Sequence, residues 1–378
     1  MALSLLSRRL GRPSWRTRMI GAAVLAGAAV GVLALLSIDS SPAAANAFQL
    51  ERLVSDTGGP SLTRDPTLVN GWGLAASPTG PWWTTSEARN TSALYSGAGR
   101  KQALTISVPG GPTGIVYNDG PGFPVRGGGV TAPARFLYAC EDGAIRAWAP
   151  SVPHGWSTTA EVTAFGGVSA VLRGITIAKL PDGSRRLYAT DFHIDGVVMF
   201  DEHWRKVVLK GAFRDPDIPP WYVPFNILAA GGHVYVTFAQ PAPVNGNDSP
   251  TGGYVDEFDV DGHLLARVGT KGDLNQPYGL ALAPQGFGRL GGDLLVANFG
   301  TGFISVYKRH GTKWSAEGLL RDEQGRPLKV PGVWGIAFGN GAMAGPRDAL
   351  FFAAGPHRWT NATEEAVHGL FGSISARG

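Results

Sequence analysis

One short apolar motif recurs six times along the chain. Each copy has a bulky or polar residue, then a glycine that is replaced once by asparagine, and then alternating apolar residues. These register residues are Gly73, Gly114, Gly174, Asn226, Gly279 and Gly335. Their spacing of roughly 40 to 60 residues is the period of a propeller blade and is too long for a small solenoid repeat. The pattern therefore predicts six structural repeats.

Two further apolar runs of β-branched and aromatic residues follow each motif, and such runs are typical of β-strands. The first set comprises Trp82–Thr85, Phe136–Ala139, Leu187–Thr190, Val234–Thr237, Leu294–Ala297 and Leu350–Ala353. The second set comprises Ala93–Tyr95, Ala144–Trp148, Val197–Phe200, Tyr254–Phe258, Ile304–Tyr307 and Leu370–Ile374. A turn such as Asp261-Gly262 leaves room for a fourth, outer strand, as at His263–Arg267. Four strands per repeat make a blade, so we predict an all-β, six-bladed β-propeller.

A strand also precedes the first repeat. Phe48–Val54 begins with alternating apolar and polar residues and ends before Gly58-Gly59-Pro60. Because the two ends of the chain usually share a blade in a closed propeller, we expect this strand to close the ring. Residues 48–378 are therefore predicted to form one propeller domain.

Residues 1–47 are typical of an export signal. They contain an arginine-rich start, an uncharged apolar run over Met19–Leu36, and a small-residue cleavage site at Ala45–Ala47. We expect an exported protein, in the extracellular space, the periplasm or the cell envelope. An uncleaved N-terminal anchor is the alternative, since the apolar run is long enough to span a bilayer. Arg8-Arg9 leaves the twin-arginine route open beside general secretion.

The formal charge of +4 would suggest nucleic acid or an anionic membrane as a partner. However, the N-terminal segment holds five arginines and one acidic residue, so the remaining chain is balanced. We therefore expect no nucleic-acid partner, and no membrane contact beyond the anchor alternative. The single cysteine, Cys140, lies in a predicted strand and is expected to be a buried, inert thiol.

Polar side chains follow several of the second strands. The six positions are interpreted as Ser86, Glu141, Asp191, Phe238, Asn298 and Ala354. Because second strands end at one face of a propeller, Glu141, Asp191, Asn226 and Asn298 are the candidate ligands of a Ca²⁺-type cation, which binds six to eight oxygens. The neighbours expected at the same channel mouth are Asn70, Ser86, Glu87, His193 and His357. The alternative is that these short polar residues form turns with nearby backbone groups.

Large aromatic residues precede three of the register glycines, at Trp72, Tyr278 and Trp334. We expect them to be core residues that wedge neighbouring blades together, because each can bury a large apolar area. Gly286–Gly291 matches a phosphate-binding glycine pattern, but it leads into a strand and not a helix, so a nucleotide site is not predicted.

The ordered motifs resemble a group of secreted bacterial six-bladed propellers that are related to the NHL-repeat propellers. The motifs are Leu53–Asp56, Asp65-Pro66, Leu68–Gly73, Pro112–Ile115, Glu141–Gly143, Pro224–Asn226, Ala283-Pro284, Phe287-Gly288, Val296–Gly300 and His368–Gly372. Gly71 and Tyr278 stand where that group usually has proline and tryptophan. The resemblance implies the fold and export, and it brings no established catalytic residues.

Three functional hypotheses follow. The first is a monomeric binding module for a protein, a glycan or a small molecule, acting through one face or the channel mouth. The second is a Ca²⁺-type hydrolase or lactonase that uses Glu141, Asp191, Asn226 and Asn298. The third is a structural role in the cell envelope. The fold alone does not choose among them, and the sequence favours the binding module over the enzyme.

Overall fold

The computed structural model describes residues 47–60, 62–193, 196–241, 252–360 and 363–377. The predicted export segment lies outside these ranges except for Ala47, so export, its route and the anchor alternative stay predictions. Within the described ranges, no helix is long and apolar enough to cross a membrane. The helical content of the same residues is one 3-10 turn, Glu87–Arg89.

The described chain is built almost entirely from β-strands, in the order that the repeats predict. It begins with β1 (Ala47–Ser55) and β2 (Thr63–Arg64). Blade 1 contains β3 (Gly71–Ala76), β4 (Trp82–Ser86), β5 (Thr91–Tyr95) and β6 (Lys101–Ser107). In the next repeat come β7 (Pro112–Tyr117), an inserted hairpin of β8 (Pro124–Gly127) and β9 (Val130–Pro133), then β10 (Phe136–Cys140), β11 (Ala144–Trp148) and β12 (Glu161–Phe165). Blade 2 is the four-stranded sheet β7-β10-β11-β12, in that order.

Blades 3 to 5 are uninterrupted four-stranded sheets. Blade 3 contains β13 (Leu172–Lys179), β14 (Arg185–Asp191), β15 (Gly196–Asp201) and β16 (Lys206–Val207). Blade 4 contains β17 (Val223–Ala230), β18 (His233–Ala239), β19 (Tyr254–Phe258) and β20 (Leu264–Thr270). Blade 5 contains β21 (Pro277–Leu282), β22 (Leu294–Asn298), β23 (Ile304–His310) and β24 (Lys313–Leu319).

Blade 6 joins the two ends of the described chain. Its C-terminal strands are β25 (Val333–Phe338), β26 (Ala349–Ala354) and β29 (Leu370–Arg377), with a hairpin of β27 (His357–Thr360) and β28 (Thr363–Val367) inserted before β29. The fourth strand is β1, which pairs antiparallel with β29 from Ala47 opposite Arg377 to Ser55 opposite Leu370. The short β2 pairs parallel with β1 at the outer edge. The six-bladed fold and its closure by the leading strand are therefore confirmed.

The register glycines have a common steric role in the ring. The inner strands β3, β7, β13, β17, β21 and β25 contact one another in that order, and β25 contacts β3. A Cβ atom on Gly73 would lie 2.4 Å from the carbonyl oxygen of Thr113, and one on Gly279 would lie 2.3 Å from that of Trp334. No side chain fits at such distances, so glycine is required for the inner strands to approach this closely.

Asn226 occupies the same register position in blade 4. Its Nδ2 donates a 2.8 Å hydrogen bond to the carbonyl oxygen of Tyr278 in blade 5. The asparagine therefore links two blades by a side-chain hydrogen bond where the other copies use close backbone contact. The hydrophobic core lies within and between the blades, and β4, β10, β22 and β26 are buried along their whole length. Cys140 lies in this core, where burial raises the pKa of its thiol to about 12, as expected for an inert residue.

Candidate functional site

The inner strands begin, and the second strands end, at one end of the channel, which we call the upper mouth. Strand pairing shows which residues are equivalent there. Ser86, Asp191 and Asn298 each pair with the residue two positions before the register glycine of their blade. In blade 2 the residue so paired is Cys140. The sequence alignment of Glu141 with the other strand ends was therefore wrong by one residue.

The residues at the ends of the second strands are buried and bonded within their own blades. Asp191 Oδ1 accepts hydrogen bonds from the backbone amides of Val171 (3.1 Å) and His193 (3.0 Å). Asn298 Oδ1 accepts one from the amide of Asn275 (2.9 Å), and its Nδ2 donates to Ser305 Oγ (2.9 Å). Asp191 and Asn298 thus make the contacts of turn-forming residues, which was the alternative interpretation.

Ser86, His193 and His357 were also predicted to lie at this channel mouth. Ser86 Oγ accepts a 2.8 Å hydrogen bond from the amide of Val69, so Ser86 also holds a turn. His193 is exposed, and His357 is the first residue of β27. Across the described residues, no group of three or more histidine, cysteine, aspartate or glutamate side chains is placed to hold a metal ion. The predicted Ca²⁺ site at Glu141, Asp191, Asn226 and Asn298 gains no support from these contacts.

A different set of polar side chains does meet at the upper mouth. Trp334 Nε1 donates to Asn70 Oδ1 (3.0 Å), and Asn70 Nδ2 donates to Glu87 Oε2 (2.8 Å). Glu141 lies next to Glu87 and forms an ion pair with Arg173 of blade 3. We call Asn70, Glu87, Glu141 and Arg173 the polar row. Of the sequence-predicted residues, Asn70, Glu87 and Glu141 are therefore brought together.

The two glutamates of the polar row are electrostatically coupled. Burial raises the pKa of Glu87, and the negative charge of Glu141 raises it further. The hydrogen bond from Asn70 and the positive charge of Arg173 oppose this rise without cancelling it. Glu87 thus holds its proton to a higher pH than an ordinary glutamate does, while Glu141 has the guanidinium of Arg173 as its counter-ion.

Aromatic side chains fill the channel below the polar row. Trp72 and Trp334 stack with ring centroids 3.7 Å apart, Phe299 stacks on Trp334 at 3.8 Å, and Phe192 stacks on Phe225 at 4.4 Å. With Tyr278, these residues form what we call the aromatic plug. Trp72, Phe225, Tyr278 and Trp334 are buried, while Phe192 and Phe299 are half-buried.

The predicted core role of Trp72, Tyr278 and Trp334 is confirmed, but the three rings pack inside the channel and not only between adjacent blades. Trp72 in blade 1 contacts Tyr278 in blade 5 edge-on, with centroids 5.8 Å apart, and these two blades are not neighbours. The rings therefore meet across the channel in addition to packing between adjacent blades. Because the ring is closed, a side chain at the start of an inner strand can reach strands on the far side.

Arg173 is the functional candidate that the sequence interpretation missed. It precedes register Gly174, at the position that Trp72 and Tyr278 occupy in their own blades. Its guanidinium lies 5.0 Å from the ring centroid of Trp72 and 5.8 Å from that of Phe192, which is cation–π geometry. The signal was present, since Arg173 is the one charged residue among the six that precede a register position.

The opposite end of the channel, the lower mouth, opens into a cavity of about 570 Å³. Its walls are the later residues of β3, β7, β13, β17 and β25, which follow the register positions. No residue of the aromatic plug lines it. We call this space the lower cavity.

Comparison with known proteins supports the fold more than any activity. No family model matches the chain. Uncharacterized protein R648 of Acanthamoeba polyphaga mimivirus is 28% identical over 359 residues, which cover 92% of this chain and 84% of that protein. Uncharacterized protein R640 of the same virus is 32% identical over 302 residues, which cover 76% of this chain and 54% of that protein, so the match spans about half of its length.

Two solved structures are similar to this chain in fold. The soluble aldose sugar dehydrogenase of Escherichia coli in its apo-form superposes with a TM-score of 0.50 and 12% identity, covering 87% of this chain and 100% of that chain. Virginiamycin B lyase from Staphylococcus aureus gives a TM-score of 0.47 and 11% identity, covering 87% of this chain and 99% of that chain. The likeness to the aldose sugar dehydrogenase shows the propeller fold alone. The relatives named here are viral, so a bacterial origin and secretion stay expectations from the sequence.

Proposed function

We propose that the protein is a binding module that holds a glycan at the upper mouth of its channel. The observation that carries the proposal is the polar row lying beside the half-buried ring of Phe192, whose centroid is 5.8 Å from the guanidinium of Arg173. The half-buried ring of Phe299 stacks on Trp334, which in turn donates a hydrogen bond to Asn70 of the row. A sugar ring presents an apolar face that packs on an aromatic ring, and its hydroxyl groups both donate and accept hydrogen bonds. Binding sites commonly combine aromatic walls with a few convergent polar groups in this way.

The charge of the polar row favours a neutral ligand. Glu141 and Arg173 neutralise each other as an ion pair, and burial raises the pKa of Glu87. The row therefore offers the amide of Asn70, the carboxyl group of Glu87 and the Glu141–Arg173 pair, with a net charge of at most one negative unit. These groups are both donors and acceptors, as a polyhydroxyl ligand requires.

The hairpin β27–β28 starts from the same end of the ring. It joins β26 to β29, so its base is at the face where the second strands end. Long connections on a rigid ring are common places for binding. A glycan of several sugar units would extend from the polar row towards this hairpin.

A glycan array probed with the purified protein tests the proposal. We expect binding to at least one class of neutral glycan, weakened tenfold or more by Arg173→Ala and by Glu141→Gln. Lys313→Glu is the matched control, since Lys313 is exposed on the outer strand β24 and should leave binding unchanged. An array without signal, or equal signals for all four proteins, would contradict the proposal.

Export would bring this site to glycans outside the cell. Sequencing the N-terminus of the protein recovered from its native source tests the export prediction. A mature chain that begins at Phe48 would support export with cleavage, whereas a chain that retains residues 1–47 would favour the anchor alternative or an internal location.

A further inference from the structure

The lower cavity is separate from the site proposed above and has a different chemistry. Its walls are mainly aliphatic, and its volume of about 570 Å³ lies within the range of small-molecule pockets. The lining also includes aromatic and uncharged polar side chains, namely Trp82, Tyr117, Phe338, Ser77, Thr176 and Asn340. Six of the wall residues are Leu74, Ile115, Ile175, Ile177, Leu228 and Ala337. Four of these, Leu74, Ile177, Leu228 and Ala337, are only half-buried, so apolar surface faces the open space of the cavity.

The rim of the cavity carries an unbalanced positive charge. Three of the residues that line the cavity are charged, namely Asp119, Lys179 and Arg185. Arg185 is paired with Asp119, with its Nε donating to Asp119 Oδ1 at 3.0 Å. Lys179 is exposed at the end of β13, and none of the described residues forms an ion pair with it. The rim therefore has one ammonium group available for an anion.

We propose that the lower cavity binds an amphipathic anion, with an apolar body against the aliphatic walls and one anionic group at Lys179. Apolar surface left open to water favours an apolar ligand, because the ligand removes that surface from solvent. The ammonium group selects the charge of the polar end and fixes the orientation of the ligand in the channel. A medium-chain carboxylate or an aromatic sulfonate has this chemistry.

The site can be probed with 1-anilinonaphthalene-8-sulfonate, whose fluorescence rises on transfer from water to an apolar site. We expect saturable binding to the native protein at neutral pH. Decanoate should displace the probe, while decan-1-ol and decylamine should displace it at least tenfold less well. Melting curves recorded with each compound ensure that the folded protein is the species measured.

Two variants locate the site. Lys179→Glu should weaken binding of the probe and of decanoate about tenfold or more, because it replaces attraction by repulsion at an exposed position that holds no other ion pair. Ala337→Phe should reduce binding by filling the cavity. Lys313→Glu on the outer strand should change neither, and the upper-mouth variant Arg173→Ala should leave probe binding intact.

Several outcomes would overturn the proposal. Absence of saturable probe binding would do so, and so would equal displacement by decanoate and decylamine. Unchanged affinity in Lys179→Glu would place the anion elsewhere. Should Ala337→Phe fail to fold, the charge-reversal variant and the competitor series still decide the question, since they leave the walls intact.

Discussion

The two ends of the channel are built from the same inner strands and yet differ completely. At the upper mouth, the residue before the register position is large or charged in five of the six repeats, and Thr113 is the exception. Four of these five residues belong to the aromatic plug, and the fifth is Arg173. At the lower mouth, the residues after the register positions are aliphatic and leave the space open. The register position itself hardly varies, because the ring closes only when adjacent strands approach closely there. The register residue thus allows the ring to close, whereas the residue directly before it faces the proposed site at the upper mouth.

This difference has an energetic consequence. The plug converts the upper half of the channel into core, so its side chains stabilise the ring through burial and ring stacking. The side chains of the lower walls contribute less to the free energy of folding, because part of their apolar surface still faces water. We therefore expect substitutions at the upper end to change stability strongly, and those at the lower end to change ligand binding more than stability.

The largest effect should come from Trp334→Ala. Trp334 is 4% exposed, stacks on two other rings and donates a hydrogen bond to Asn70. Its removal should lower the free energy of unfolding by about 3–5 kcal/mol, the usual cost of truncating a buried tryptophan. Ile177→Ala in the wall of the lower cavity should cost only about 1 kcal/mol, since its side chain is half-buried. Equal losses in urea denaturation would contradict the contrast between the two ends.

Gly279→Ala should rank second. The added methyl group would meet the carbonyl oxygen of Trp334 at 2.3 Å, so β21 and β25 would have to separate. Overpacking of this kind costs about 1–3 kcal/mol. Gly196→Ala is the matched control, because a methyl group there meets no atom of the described residues within 4 Å. A melting temperature as high for Gly279→Ala as for Gly196→Ala would remove the steric explanation for the register glycines.

Arg173→Met should have a smaller effect on stability. The variant keeps most of the apolar contact with Trp72 but loses the cation–π interaction, which is worth roughly 0.5–2 kcal/mol. It also leaves Glu141 without its counter-ion. We expect a loss of about 1–2 kcal/mol, and Arg173→Lys should recover part of it because the positive charge remains. A Met variant as stable as the wild type would show that Arg173 does not stabilise the ring.

The sequence predicted the fold well because the signals for the fold are local. The spacing of the register glycines, the strand runs and the leading strand Phe48–Val54 each depend on neighbouring residues, and all three predictions hold. The candidate site depends instead on which side chains cross the channel. An error of one residue at Glu141 placed it with Asp191 and Asn298, although it lies next to Glu87 and Arg173. No local pattern specifies that contact between blades.

The smallest effect concerns the coupling of Glu87 and Glu141. Because Glu87 has a raised pKa in the folded protein, the unfolded chain loses its proton first as the pH rises above the ordinary glutamate value of 4.5. The contribution of Glu87 to stability is therefore fully present below pH 4.5 and is lost as the pH rises through the folded-state pKa. Glu87→Gln removes this loss, so the stability of the variant relative to the wild type should increase between pH 4 and pH 7. Glu141→Gln should shrink the same pH dependence, because it removes a negative charge that raises the pKa of Glu87. Unfolding curves at the two pH values measure both effects. A difference between wild type and Glu87→Gln that does not change with pH would mean that the pKa of Glu87 is not raised in the folded protein. A pH dependence that is the same with and without Glu141→Gln would mean that the two carboxyl groups titrate independently.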